Sequence, residues 1–275
     1  MEFDKTIKKS FIQALKLIRI DDLKIEENPV VVKVGVFNPR TGQYTTVDVI
    51  DALVSVFNKS PNIYIVESDS NGGPAPKRLE IWNQVFSERV IPFNISTDKN
   101  TRDTQVLDER VPLSNMLFKP NIFISTHVPR RYHDAGNSDL MNIGSILKNL
   151  LGLIPDLKKN RFHNKLPTAL LDIYEAIGGI DLAVLDGTYT HLGVKKNHNR
   201  IQTNMFVMGR DAISVEAVGA YIVGFNPMEM PVIKEAMDRG LGEGNINKIE
   251  ILGSSVETLR QKNIQSFKEL FPKKI

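Results

Sequence analysis

The chain of 275 residues contains no cysteine, and this absence limits the chemistry open to it. Without cysteine thiolates there can be no disulfide, no thiolate zinc site and no iron–sulfur cluster held by four cysteines of this chain. A lack of cysteine also fits a reducing compartment. No signal peptide or anchor is visible near the amino terminus, so we expect a cytoplasmic protein.

Long apolar runs and a strong charge excess are also lacking. No run approaches the ~18 apolar residues that a membrane span requires, so we expect no membrane association. The formal net charge is only +3, from 35 basic and 32 acidic residues that are dispersed along the chain. Such a small basic excess argues against nucleic acid as a partner.

Apolar runs bounded by turn residues predict buried strands, and helical patterns fall between most of them. The predicted strands are Val30 to Phe37, Ile63 to Glu67, Ile122 to Thr126, Leu182 to Asp186, Met205 to Met208 and Ile249 to Leu252. The predicted helices are Val47 to Phe57, Arg78 to Phe86, Asp139 to Leu151, Leu166 to Ile177, Ala212 to Val223 and Val232 to Arg239. This alternation predicts an α/β three-layer sandwich, with a mostly parallel sheet and helices on both faces.

The hydrophobic content of 41% is ordinary for a chain of this length and is enough to bury one full core. We therefore predict a single α/β domain over residues 1–275. Residues 1–28 are predicted as an N-terminal helical extension, because apolar residues recur there at helical spacing. The polar, glycine- and proline-containing segment 68–104 is predicted as an excursion or flap.

The candidate site rests on polar residues near the predicted strand ends, because ligands of open α/β sheets bind beyond the carboxyl ends of the strands. Residues 145–163 place Lys148, Asn149, Lys159 and His163 around an apolar turn. Lysines attract phosphate or carboxylate, and the imidazole of a histidine exchanges protons near neutral pH. Asp186 ends a strand, where its carboxylate could act as a base or hold a divalent cation with His163 or Glu67. The predicted catalytic residues are His163, Asp186 and Lys148, and the predicted substrate-binding residues are Asn149, Lys159, Arg130, Arg131, Lys33, Glu67, Thr188 and Asp211.

Several of these candidates also have a simpler structural interpretation. Lys148 and Lys159 could be solvated cations at a helix end, and His163 could be a surface histidine in a polar loop. Asp186 could be a turn aspartate that accepts hydrogen bonds from nearby amides. Asp211 could be the N-cap of the helix that follows it, and we favour this interpretation slightly.

Several short motifs occur in the order seen in the family called domain of unknown function 362. They are Val31-Val-Lys33, Glu67, Lys148-Asn-Leu-Leu-Gly152 with a downstream lysine and His163, Leu185-Asp-Gly187, Gly209-Arg-Asp-Ala212 and Ile249-Glu-Ile-Leu-Gly253. The chain resembles the core of that family over about residues 30 to 253. Many members carry an additional cysteine-rich, ferredoxin-like segment, so the resemblance implies a separate iron–sulfur protein as a partner. A second aspartate that is common in the family is replaced here by Glu216.

Two hypotheses about function follow. In the first, the protein is an enzyme acting on a small anionic metabolite, phosphorylated or carboxylated, with or without a divalent metal. In the second, it is a non-catalytic ligand-binding or redox-accessory protein that works with a separate iron–sulfur partner. The sequence names no cofactor, and we favour the first hypothesis over the second.

Overall fold

A mostly parallel sheet of eight strands forms the centre of the computed structural model, which describes residues 7–131, 143–192 and 199–270. In chain order the strands are β1 (Val30–Val34), β2 (Val36–Asn38), β3 (Gln43–Tyr44), β4 (Ile63–Glu67), β5 (Val90–Asn94), β6 (Thr101–Val106), β7 (Glu109–Ser114), β8 (Ile122–His127), β9 (Arg130–Arg131), β10 (Ile143–Gly144), β11 (Leu182–Leu192) and β12 (Asn199–Gly209). The central order is β10-β9-β11-β8-β1-β4-β5. Strand β12 lies outside this order and pairs antiparallel with β11. Strands β5, β4, β1, β8 and β11 run parallel.

Helices cover both faces of this sheet. They are α1 (Ile7–Ile18), α2 (Val47–Val56), α3 (Ala75–Leu79), α4 (Ile146–Asn149), α5 (Leu166–Ala176), α6 (Ala212–Ile222), α7 (Pro231–Asp238) and α8 (Val256–Leu270). In β1, Val30, Val32 and Val34 pack into the core with α1 and α2, whereas Val31 packs into the opposite core with α4 to α7. The predicted three-layer α/β sandwich is confirmed. Among the described residues, none of the helices has the length and apolar character that crossing a bilayer requires.

The antiparallel parts of the fold differ from the prediction. Residues 249–252 are not a strand, and Ile251 and Leu252 are exposed there. The predicted strand Met205 to Met208 is one half of β12, which pairs antiparallel with β11. Strand β11 itself continues past Asp186 to Leu192. An antiparallel pair of this length stabilises its own outer half through backbone hydrogen bonds, so the outer half does not need a continuous apolar sequence.

Segment 68–104, predicted as an excursion or flap, belongs largely to the main body. It contains α3 and β5, and β5 pairs in parallel with β4 from Ile63↔Val90 to Glu67↔Asn94. The structure instead places an antiparallel hairpin outside the main sheet, formed by β6 and β7. The buried side chains of Val106, Val111 and Leu113 attach that hairpin to the core around α5.

Helix α1 lies within the segment 1–28 that was predicted as an N-terminal extension, and it packs into the core. Helix α1 buries Phe11 and Leu15, and the ring of Phe11 meets that of Phe206 edge to face with 5.4 Å between the centroids. The predicted helix starting at Asp139 is described only from Ile143 onward, where β10, α4 and a 3-10 turn (Leu150–Leu153) follow one another. His133, Asp134 and His198 lie outside the described residues.

Candidate functional site

The strand order creates a crevice at the carboxyl end of β1. The chain passes from β1 to β4 and β5 on one side, then returns to β8 on the other side of β1. Because the connections on the two sides of β1 lead in opposite directions, the loops above the sheet separate there. Ligands of α/β proteins bind at such switch points in the strand order. A cleft of about 910 Å³ lies there. It is lined by the ends of β1, β4 and β8, by α3 and α4, and by a 3-10 segment (Lys159–Lys165).

The lining of the cleft is strongly basic. Among the described residues that line it, the acidic side chains are Glu67 and Glu80, and the basic ones are Lys33, Arg40, Lys77, Arg78, Arg130, Lys148 and Lys159. His127 and His163 also line it. A concave surface with seven basic and two acidic side chains produces a positive potential that concentrates anions.

Lys33 lies at the bottom of the cleft with only 1% of its surface exposed. Its Nζ donates to Glu67 Oε2 at 3.1 Å, to Asn149 Oδ1 at 3.0 Å and to the carbonyl of Val34 at 2.8 Å. Burial lowers the pKa of Lys33, although the carboxylate of Glu67 acts in the opposite direction. Three acceptors and a carboxylate compensate for the burial of this ammonium group.

Glu67 is the centre of a buried group of charges. Its Oε1 accepts the amide of Ser68 at 2.8 Å, and its Oε2 accepts from both Lys33 and Arg78, the latter at 3.4 Å. The guanidinium of Arg78 also donates to the carbonyls of Ser68 and Val36. One carboxylate therefore faces two cations, which leaves net positive charge at the bottom of the cleft.

Asn149 holds α4 against the sheet. Its Nδ2 donates to the carbonyl of Lys33 at 2.9 Å, to the carbonyl of Thr126 at 3.1 Å and to Ser125 Oγ at 3.2 Å. These bonds tie the end of the helix to both β1 and β8. Lys148, the preceding residue, is half-buried and lines the cleft. Asn149 thus orients Lys33 and fixes the end of the helix that carries Lys148.

Gly152 allows the close approach of Lys33 and Glu67. A β-carbon at this position would lie 2.7 Å from Lys33 Nζ and 3.1 Å from Glu67 Oε1. The first distance is too short for two non-bonded atoms, so any larger residue would displace the lysine. The Lys148-Asn-Leu-Leu-Gly152 block therefore supplies a cleft cation, a structural amide and the space that Lys33 occupies.

The buried carboxylate of Glu216, in α6, positions the other end of α4. Its Oε1 accepts from Ser145 Oγ, and its Oε2 accepts the amide of Leu147 at 3.1 Å. Burial raises the pKa of Glu216 to about 7, although its hydrogen bonds oppose this change. A carboxyl group here satisfies donors that the first turn of a helix leaves free.

His127 adds a neutral donor that the sequence analysis left out of the predicted site. Its Nδ1 accepts the amide of Val128 at 2.7 Å, so the proton of the neutral ring is on Nε2. Burial lowers the pKa of His127 to about 3, and the charges of Lys33 and Arg130 act in the same direction. The ring is therefore neutral at physiological pH and offers an N–H donor.

Lys159 and His163 come from the 3-10 segment on the far wall. Burial lowers the pKa of Lys159 to about 8, and Lys33 and Arg78 add to this effect while Glu67 opposes it. Burial also lowers the pKa of the half-buried His163, with a further contribution from Lys148. Both groups can exchange a proton at or near neutral pH.

The cleft brings together seven of the eleven predicted site residues. These are Lys33, Glu67, Arg130, Lys148, Asn149, Lys159 and His163. The described residues that line the cleft do not include the other four predicted residues, which are Arg131, Asp186, Thr188 and Asp211. The structure thus places seven of the predicted residues at the cleft and four elsewhere.

Asp186 has a structural environment. It is fully buried, and its two oxygens accept from the amide and hydroxyl of Thr46 at 2.6 and 2.8 Å and from the amide and hydroxyl of Thr188 at 3.0 and 2.6 Å. Burial raises the pKa of Asp186, although these hydrogen bonds oppose the change. Thr46 immediately precedes α2, so Asp186 and Thr188 join β11 to the start of that helix.

Asp211 and Arg131 also have structural partners. Asp211 Oδ1 accepts the amides of Ile213 and Ser214 at 2.8 and 3.0 Å, so it is the N-cap of α6, the interpretation favoured from the sequence. Arg131 donates to the carbonyl of Val223 at 2.8 Å and lies over the ring of Phe225. Adjacent residues of a strand point to opposite faces, which is why Arg130 lines the cleft and Arg131 does not.

Arg78 and Lys77 are further cleft residues that sequence reasoning missed. Both belong to α3, whose first turn is fixed by Asp69 Oδ1 accepting the amide of Ala75 at 2.7 Å. They follow the glycine-containing loop 71–76, which lacks the spacing of a phosphate loop and gave no other signal. The signal that could have identified these two residues is the topology, because this loop follows β4, the strand beside β1.

A family model described as Domain of unknown function (DUF362) matches residues 30–221. The chain belongs to this family. The matched range contains every residue of the DUF362 cleft named above, from Lys33 to His163, together with Glu216. No curated protein matches the chain.

A solved structure similar to this DUF362 protein is the lactate racemase apoprotein from Thermoanaerobacterium thermosaccharolyticum. The sequence identity is 12% and the TM-score is 0.44, over 78% of this chain and 54% of that one. The chain thus spans about half the length of that relative. Within the described part of this chain, no group of three or more histidine, aspartate or glutamate side chains is arranged to hold a metal ion.

Proposed function

We propose that the cleft binds a small anionic metabolite, phosphorylated or carboxylated, and that the protein is an enzyme acting on it. The observation that supports this proposal is the lining of the cleft, in which seven basic side chains of the described residues face two acidic ones at the switch point of the sheet. A solvated charged surface would not need a buried lysine held by three acceptors at its base. Family membership and fold are compatible with such a role but do not name the ligand.

The cleft residues suggest distinct roles in binding. Lys148 supplies a point charge, and Arg130, which is 1% exposed with its guanidinium 3.8 Å above the ring of Phe37, supplies a planar one. His127 offers a neutral Nε2–H donor. His163 is the group proposed to donate or accept a proton. Asp186, which lies outside the cleft lining, is given no part in the chemistry.

Anion binding can be tested by calorimetric titration with inorganic phosphate and with citrate at constant ionic strength. Replacing Lys148 with Met removes one charge-assisted contact, so we expect phosphate affinity to fall at least about ten-fold. Lys158→Met is the matched control, because Lys158 is exposed and does not line the cleft. No binding of either anion by the wild type, or equal losses in both variants, would contradict the proposal.

The variant His163→Gln separates an enzyme from a non-catalytic protein. If His163 only exchanges protons, the variant should retain phosphate affinity, because glutamine keeps a polar side chain of similar reach. A large loss of affinity would instead favour a ligand-binding or redox-accessory role, in which an iron–sulfur group is supplied by another chain.

A further inference from the structure

Two lysines of the cleft differ in the acceptors that surround them. Lys33 Nζ has three acceptors, one of them the carboxylate of Glu67, as an ammonium group with three N–H donors requires. Lys159 Nζ has two acceptors among the described residues, Ser68 Oγ at 2.9 Å and the carbonyl of Asp69. Neither of these two acceptors is charged. The environment of Lys33 therefore suits a cation, whereas the acceptors of Lys159 are a hydroxyl and a carbonyl and carry no charge.

The direction of the hydrogen bonds around Ser68 defines the state of Lys159 more closely. Ser68 Oγ donates its proton to the carbonyl of Gly152 at 2.7 Å, so it must accept from Lys159. Lys159 thus donates two hydrogens, one to Ser68 and one to Asp69. A neutral amine has two N–H donors and one lone pair, which matches this pair of acceptors and leaves the lone pair uncommitted.

The electrostatics agree with the hydrogen-bond pattern. Burial lowers the pKa of Lys159 to about 8. The carboxylates of Glu67 and Asp156 favour its protonation, whereas the charges of Lys33 and Arg78 disfavour it. At pH 8 about half of such a lysine is free amine, compared with less than about 1% of an ordinary lysine. Lysines made nucleophilic in enzymes are activated in this way, by desolvation and by an adjacent cation.

We propose that Lys159 is a nucleophilic amine that condenses with the carbonyl carbon of a small oxo acid held in the cleft, an inference that rests on the proposed anion-binding function. The lone pair of Nζ forms the new C–N bond, and the carbonyl oxygen leaves as water with the two protons of the amine. The product is a neutral imine, and no oxidant or reductant takes part. The carboxylate of the oxo acid faces Lys148 and Arg130, and His163 of the same cleft transfers the protons.

Reductive trapping tests this assignment directly. The wild-type protein is incubated at pH 8 with glyoxylate and sodium cyanoborohydride, which converts an imine into a stable carboxymethyl amine. Fragment mass spectrometry then locates the label. We expect at least about ten-fold more label on Lys159 than on Lys158, the exposed neighbour in the same molecule, because of the difference in free amine. Inorganic phosphate should reduce the label on Lys159 and leave that on Lys158 unchanged.

Two variants complete the experiment. Lys159→Arg keeps a cation but forms no imine, so the excess label should disappear, whereas Lys158→Arg should leave it intact. Equal labelling of Lys158 and Lys159 in the wild type, or preferential labelling of Lys148, would overturn the proposal even if a variant failed to fold. If phosphate binds the wild type and only the trapping fails, the anion-binding function stands and the role of Lys159 is rejected.

Discussion

At the scale of single residues, the bottom of the cleft consists of a buried charged group in which Glu67 faces Lys33 and Arg78. Lys33 is an unusual residue for the inside of a strand, and its cost of burial is offset by the carboxylate and by the amide of Asn149. Sequence reasoning identified Lys33 and Glu67 as ligand-binding candidates. These two residues form an ion pair with each other, so they determine the charge and shape at the bottom of the cleft.

Removing the carboxylate should therefore destabilise the protein. In Glu67→Gln, two buried cations lose their charged partner, and we expect the free energy of unfolding to fall by about 3 kcal/mol. Urea unfolding measures this change. The control is Glu26→Gln, which breaks an exposed pair with Lys59 and should have no measurable effect. Equal stability of Glu67→Gln and wild type would show that the buried group is not ionised as described.

At the scale of elements, Asp186 fixes the start of α2 instead of lining the cleft. Its four hydrogen bonds come from Thr46 and Thr188. In Asp186→Asn one acceptor oxygen is lost, so we expect unfolding to require about 2 kcal/mol less and phosphate affinity to remain unchanged. Asp48→Asn, an exposed change in the first turn of α2, is the control. A variant of wild-type stability that no longer binds phosphate would restore Asp186 to the site.

Helix α4, which carries Lys148 and Asn149, depends in turn on Glu216. The pKa of this carboxyl is about 7 in the folded protein, against an ordinary value of 4.5. The folded state therefore binds the proton more tightly, and the stability that this contributes is complete below pH 4.5 and is lost as the pH rises to 7.

The variant Glu216→Gln has no such proton. Relative to this variant, we expect the wild type to lose about 2 kcal/mol of unfolding free energy between pH 5 and pH 7. Urea unfolding of both proteins at a series of pH values provides the comparison, and the difference cancels the contributions of other titrating groups. Parallel stability curves across this range would contradict the role assigned to Glu216.

At the scale of the whole molecule, the sequence predicted the parallel part of the fold because those strands are apolar on both faces. It missed β5 because this edge strand buries only Val90 and contains Pro92. It missed the β6–β7 hairpin because polar residues alternate there with buried ones. The apolar run 249–252 was wrongly predicted as a strand because an apolar run alone does not show that it is paired or buried.

The candidate site was predictable where one short block carried several functions, as around Lys148. It was not predictable where charge enters from a distant element, as with Arg78 of α3, because no local pattern reports which loops meet above β1. Asp186 shows the converse: a carboxylate at a strand end has the right position in sequence, yet its hydrogen bonds to Thr46 and Thr188 make it structural.

The central claim is that the basic cleft beyond β1 binds an anion. A crystal of the wild-type protein soaked in tungstate, an electron-dense analogue of phosphate, tests it most directly through anomalous diffraction. We expect a tungstate in the cleft, with oxygens within about 3 Å of Lys148 Nζ and of His127 Nε2. Tungstate bound only to exposed lysines elsewhere, with none in the cleft at saturating concentration, would contradict it.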